Sequence, residues 1–221
     1  MRRLALLFLI VMLSACAAAP DRMPETEVDA ESVDQHQQSL ADIHAWEFQS
    51  RMAFFELEQN SRQAASLRWQ NQPESRSLRV SHPLRGTLAR LEETADGATL
   101  IDAQGDEYRA DDIEALLLTH LNVVLPIELI HDALLGRMPQ TDIINPSFYA
   151  DGTLADYQVD VDTGRYWQRA SRQTWHVSLA RYSEAANAPV RLPHELELTS
   201  DDYRIRLTIS RWTLLDSTKS N

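Results

Sequence analysis

The chain is poor in the residues that most enzyme chemistry needs. It holds a single cysteine, Cys16, so no internal disulfide can form. Its six glycines are scattered; none builds a phosphate-cradling loop, and no serine sits in a Gly-x-Ser-x-Gly elbow. The seven histidines, at 36, 44, 82, 120, 131, 176 and 194, show none of the close spacings that place two imidazoles on one face for a metal. Glu128 and His131 share a helix face, but a lone pair of that kind belongs to a surface or a core. The string DVDTG at 160–164 contains the Asp-Thr-Gly of aspartic proteases, whose mechanism needs two such carboxylates sharing a proton. One copy between alternating residues is expected to be a hairpin turn, and Asp160 and Asp162 lack the terminal Glu of a calcium loop. Asp111-Asp112 and Asp201-Asp202 fit a helix cap and a turn. Basic residues are also in deficit, 21 against 33 acidic, so the chain is expected to repel nucleic acid and anionic lipid rather than bind them. These absences favour binding or transfer over catalysis, with no cofactor and no metal.

The longest apolar stretch, Leu4 to Met12, follows Arg2 and Arg3 and falls short of the roughly 20 residues of a membrane span. It has the layout of a secretory signal peptide. The residues LSAC at 13–16 resemble a bacterial lipobox, whose cysteine is lipidated and becomes the first mature residue; an ordinary signal peptide is the alternative. On this reading residues 1–15 are removed, Cys16 is acylated, and the loss of two arginines leaves a net charge of −14. Several acyl chains would give a stable anchor where one gives only marginal binding. In other lipoproteins an Asp after the cysteine favours the inner membrane; Ala17 points instead to the outer one. Residues 16–30, small, polar and proline-bearing, are expected to be a tether, and 31–221 a single domain.

Periodicity divides that domain. Val33, Leu40, Ile43 and Trp46 recur at helical spacing and predict an amphipathic helix over 33–46. From there the period becomes two: Phe48, Ser50, Met52 and Phe54 alternate with polar residues, as do Ala65, Leu67 and Trp69, then Leu78 and Val80. Turn signals at Gly97 and Gly105 continue an antiparallel meander. Two unusually apolar helices follow, one from Asp111 or Asp112 through Leu121, the other from Pro126 to Gly136. Strands resume at LADYQVDV, RYWQRA, TWHVSLARY, HELELTS and YRIRLTISRWTLL, with turns at Gly152 and Gly164. The expected architecture is one strongly bent antiparallel sheet of many strands with helices on one side.

Five tryptophans, 46, 69, 167, 175 and 212, fall on strands or at a helix end. They can fill a core or line the concave face of a curved sheet. Together with apolar helices and a lipid anchor they suggest an apolar cavity for acyl chains. Alternation and helical spacing place Phe54, Leu67, Trp69, Leu78, Val80, Leu117, Leu121, Ile130, Trp175, Ile205 and Leu207 toward it.

Behind the lipobox, a series of strings in fixed order resembles the LolB family of outer-membrane lipoprotein receptors: HQQ at 36–38, RMAF at 51–54, RWQ at 68–70, HPL at 82–84, DAQGDEYRADDIE at 102–114, LPIELIHDALLGRMP at 125–139 and LPHELELT at 192–199. The resemblance implies an open, incomplete barrel whose helices cover a hydrophobic cavity. It implies a monomer that accepts lipoproteins from the periplasmic carrier LolA, holds their acyl chains, and inserts them into the inner leaflet of the outer-membrane bilayer, without a covalent step. It also implies a protruding loop with an apolar membrane-insertion residue, here Leu84 with Pro83 before it and Gly86 after. The family commonly has Asn before the proline and Gly directly after the leucine, where this chain has His82 and an intervening Arg85. An anchored binding protein for free fatty acids or phospholipids shares the cavity and anchor but not the carrier. An anchored hydrolase and a structural outer-membrane component are the remaining alternatives.

Overall fold

Alternating side chains build most of the molecule. The computed structural model describes residues 24, 28–121, 123, 125–162 and 172–215; Cys16, most of the tether, the strand expected at RYWQRA with its Trp167, and Gly164 lie outside them. Strands β1 (Trp46–Glu56), β2 (Ser61–Gln72), β3 (Ser75–His82), β4 (Gly86–Thr94), β5 (Gly97–Asp102) and β6 (Glu107–Ala110) form the meander. Later come β7 (Ile143–Phe148), β8 (Leu154–Asp162), β9 (Arg172–Ala180), β12 (Glu195–Thr199) and β13 (Tyr203–Leu214), with β10 (Ser183–Ala185) and β11 (Ala188–Leu192) as a separate hairpin. The eleven-stranded antiparallel sheet has the order β6-β5-β4-β3-β2-β1-β13-β12-β9-β8-β7. Its two ends, β6 and β7, do not pair, so the sheet is curved but open, as expected. Bulges between Gln49 and Ser50 and between Val80 and Ser81 sharpen its twist.

One register row organises the concave face. Tyr108, Leu100, Leu91, Leu78, Trp69, Phe48 and Trp212 are successive cross-strand partners from β6 to β13. Beyond β13 the apolar face continues through pairs such as Leu207 with Leu196 and Leu198 with Val177. Trp46 lies 5.8 Å from Phe48, 5.8 Å from Trp69 and 5.7 Å from Trp212, ring centre to ring centre. Such aromatic pairs add about 0.5–1.5 kcal/mol each beyond the burial itself.

Three helices lie over this face. Helix α1 (Ala30–Ala41) starts at Asp29, whose carboxylate accepts from Glu31 N, and buries Val33, His36 and Leu40. It stops earlier than the apolar spacing predicts. Trp46 is not helical: it opens β1, paired with Asn71 and Leu214, because its ring is held among the sheet's aromatics. Helix α2 (Ile113–Leu116) is capped by Asp112, as expected, but lasts one turn. Residues 117–121 then wind as a wider π-helical turn where a continuous α-helix was predicted. Helix α3 (Ile127–Leu135) begins after Pro126 and ends at Gly136, whose φ of 73° suits glycine. Two further elements carry no clear sequence signal: the edge strand β7, interrupted by Pro146, and the short β10–β11 hairpin.

Polar side chains fasten the helices. Arg137, just past α3, donates from Nη2 to the carbonyls of Leu40 and Ile43, both at 2.5 Å. Gln37 donates to Gly136 O at 3.0 Å and accepts from Met138 N at 3.0 Å. Glu93 accepts from Ile113 N, Glu114 from Ile127 N, and Arg76 bridges Glu93 and Glu128. Replacing Arg137 with Leu removes the charged donor from both carbonyls, leaving Leu40 O with the Ile43 N–H. A loss of about 2–3 kcal/mol is expected, since a hydrogen bond to a charged group contributes about 1.5–3 kcal/mol. Urea unfolding should show a lower midpoint with an unchanged slope.

Candidate functional site

Burial along β1 locates the candidate site. Its inward residues pass from fully buried at Trp46 and Phe48 to half-buried at Met52 and Phe54. Helices α1 and α3 cap the first end, where His131 of α3 lies 5.5 Å from Trp46. At the other end Phe54, Val80, Ala89, Leu117 and Tyr203 are packed against the core but only half covered. Phe54 stacks on Tyr203 at 5.6 Å. The result is an apolar surface closed at one end and partly open at the other.

The predicted cavity residues divide accordingly. Leu67, Trp69, Ile130, Trp175, Ile205 and Leu207 are buried in the packed core, while Phe54, Leu78, Val80 and Leu117 are half-buried against it. The strand residues among them belong to or pack against the core together with Ile130 of α3 and Leu117 of the π-helical turn; the side chain of Leu121 lies outside the described set. Met52 and Tyr203 belong to the open end although sequence reasoning did not select them. Their signal was available: Met52 alternates with Phe54, and Tyr203 precedes Ile205 by two.

Polar groups are also built into this wall. Trp212 donates its indole N–H to Pro193 O at 2.9 Å. The indole N–H groups of Trp46, Trp69 and Trp175 and the hydroxyl of Ser50 are buried without a partner among the described residues. A buried donor left so costs about 1–3 kcal/mol. At the β5–β6 end, His120 of the π-helical turn lies tilted against Tyr108 at 4.1 Å. The Asp102 carboxylate beside Tyr108 raises its phenol above the ordinary value.

The second feature is the β3–β4 tip. His82 pairs with Gly86, leaving the three-residue loop Pro83-Leu84-Arg85. Arg85 N donates to His82 O and Leu84 N to His82 Nδ1, both at 3.2 Å. Gly86 follows with φ of 73°, the left-handed residue that closes a three-residue hairpin loop. His82 thus supplies the turn's side-chain acceptor. Pairing of β3 with β2 ends at Ser81, although β2 itself runs on to Ser61 beside β1, and pairing of β4 with β5 ends at Ala89, so residues 82–88 pair with neither neighbouring strand. Leu84 at the end is 90% exposed, against 42% for Ile144, the other exposed large apolar side chain among the described residues.

The other motifs weighed for chemistry are occupied structurally. Asp160 lies on β8 and accepts from Thr174 Oγ1 at 2.7 Å. Glu128 is paired with Arg76 at 2.8 Å.

Comparison with known proteins agrees with this architecture. The family model described as "Outer membrane lipoprotein LolB" matches residues 44–212. The chain is 30% identical over 208 residues to the outer-membrane lipoprotein LolB of Vibrio cholerae, covering 93% of each. It is 29% identical over 204 residues to that of Pectobacterium carotovorum, covering 91% of each. Among solved structures, a LolA superfamily protein from Nitrosomonas europaea superposes with a TM-score of 0.51 at 6% identity, over 86% of this chain and 95% of the other, a likeness of fold. With the family model spanning most of its length and the fold in agreement, the chain belongs to the LolB family of outer membrane lipoproteins.

Proposed function

We propose that this protein accepts lipoproteins from the periplasmic carrier LolA and inserts them into the inner leaflet of the outer membrane, holding their acyl chains on the half-open apolar face. Family and fold support the coarser statement, a role in outer-membrane lipoprotein localisation. The finer reading rests above all on Leu84, a large apolar side chain 90% exposed at a hairpin tip that pairs with neither neighbouring strand. A soluble surface gains nothing from such a residue there, whereas a bilayer would bury it. In this reading Cys16, outside the described residues, carries the lipid anchor, and the protein works as a periplasm-facing monomer.

The half-open end supports acyl binding, because apolar side chains there retain surface that a hydrocarbon chain can cover. Transfer then needs no covalent step, only a preference of the acyl chains for each successive site. The membrane is the last of these.

Two substitutions separate acceptance from insertion. Leu84→Glu should leave folding and uptake from the carrier unchanged and slow insertion into liposomes by about tenfold or more, since burying a leucine is worth about 1.5–3 kcal/mol. Insertion of a labelled lipoprotein at the normal rate would remove the role assigned to the tip. Phe54→Asp should do the reverse, lowering transfer from carrier to receptor in a mixing assay while circular dichroism stays native. Unimpaired transfer, or uptake of free fatty acid without any lipoprotein transfer, would count against this cargo site.

A further inference from the structure

The outer face of the sheet carries an unusual line of charge. Arg68, Arg79 and Arg90 are direct cross-strand partners on β2, β3 and β4. The same row continues through Gln49 to Arg211. Arg51 and Arg62 project from the same face nearer the hairpin tip. All six arginines are exposed. Between β2 and β4 the row lies in a groove of about 250 Å³, also lined by Gln70, Ser77, Glu92 and the backbone side of Leu78 and Leu91. Among the described residues Arg68 is paired with Glu47 at 2.8 Å, whereas Arg79 and Arg90 make no ion pair.

Like charges directly opposite on adjacent strands repel. Strands lie about 4.8 Å apart, so three guanidinium groups share a span of about 10 Å. This occurs in a chain whose net charge is −12, where acidic neighbours were abundantly available. The row is therefore a local excess of positive charge on an acidic protein, offset only in part by Glu47 and Glu92.

We propose that this row binds the phosphodiester headgroups of anionic phospholipids and lays the β2–β4 face against the membrane. Three observations favour a lipid surface over an acidic protein. The outward side chains of the groove are Arg, Gln, Ser and Glu, with no aromatic or aliphatic anchor of the kind that dominates protein interfaces. Guanidinium forks match phosphate oxygens two at a time. Two of the three arginines stand on the hairpin that carries Leu84, and Arg79 is about 17 Å along β3 from that tip. The proposal rests on the reading that this protein works at a membrane, and it adds which face is turned to it. The acidic remainder is repelled by the same phosphates, so repulsion and attraction together fix the orientation.

The test uses the full chain reconstituted in liposomes through its own N-terminus, with a spin label on Ser77→Cys in the groove. Access of a water-soluble relaxation agent should fall several-fold when phosphatidylglycerol is added to phosphatidylcholine vesicles, and high salt should restore it. Combined Arg68→Gln, Arg79→Gln and Arg90→Gln should abolish that protection. Each arginine near an anionic surface contributes about fivefold to binding, so the triple variant should weaken it about hundredfold. The corresponding Arg→Lys variant should retain most of it, and thermal unfolding should show that the Gln variant is folded. Leu84→Glu should leave the protection in place, which keeps failure of the tip's role distinct from failure of this proposal. Equal access in neutral and anionic vesicles would overturn it. So would protection by inorganic phosphate in neutral vesicles, or a triple variant that keeps the lipid effect but no longer receives cargo, the mark of an acidic protein partner.

Discussion

The register between β1 and its two neighbours is the constraint on which the rest depends. Phe48 faces Trp69 on one side and Trp212 on the other, and these three rings with Trp46 join the two halves of the sheet. A shift of β1 by one residue would turn Trp46 and Phe48 outward, away from Trp69 and Trp212, since the side-chain period is two. It would also carry Gln49 and Arg51 inward. Arg68, Arg79, Arg90 and Arg211 are each one residue from a member of the apolar row, so the alignment that packs the aromatics also lines up the arginines. Inner chemistry and outer chemistry are two readings of one ladder.

Coverage of the concave face is uneven for a physical reason. Helices α1 and α3 are tied to each other and to the sheet by specific polar contacts at the Trp46 end: Arg137 on the carbonyls of Leu40 and Ile43 and Gln37 on Gly136 join the helices, and Arg76 between Glu93 and Glu128 joins α3 to the sheet. Helix α2 is short, and the π-helical turn after it covers the far end less well, leaving Leu117 and its neighbours half-exposed. Departures from regular α-helix of this kind are often found where function needs them. Here the departure coincides with the open part of the apolar face.

Much of this was legible in the residues. Alternation located the long strands, their inward faces and the helix from Pro126 to Gly136, because period two and a glycine stop are strong local signals. The first helix was overextended because Ile43 and Trp46 continue its spacing; only the tertiary pull of the aromatic cluster, which no local pattern encodes, decides that Trp46 is a strand residue. The π-helical turn was invisible for a related reason, since LLTHL is ordinary helical sequence. Of the candidate site, the leucine could be found but not its presentation. Whether Leu84 points outward depends on where β2 and β5 stop pairing, and on His82 holding the loop through its Nδ1 and carbonyl. His82 and Arg85 looked like departures from the family pattern, yet the turn closes with both in place.

The sheet distributes the charge of the chain unevenly. A net charge of −12 predicts repulsion from anionic surfaces if the charge is spread evenly. Antiparallel pairing does not spread it: residues far apart in sequence, at 68, 79, 90 and 211, are brought into one row, with Glu47 and Glu92 beside it. The β3–β4 hairpin then carries three chemistries, apolar inside at Leu78 and Leu91, cationic outside at Arg79 and Arg90, and apolar again at Leu84. Val80, at the edge of the half-open face, is about 13 Å along the strand from that tip. A single rigid element thus connects the surface suited to hydrocarbon with the surface suited to phosphate. The relative placement of the two is set by backbone hydrogen bonds and not by a flexible loop.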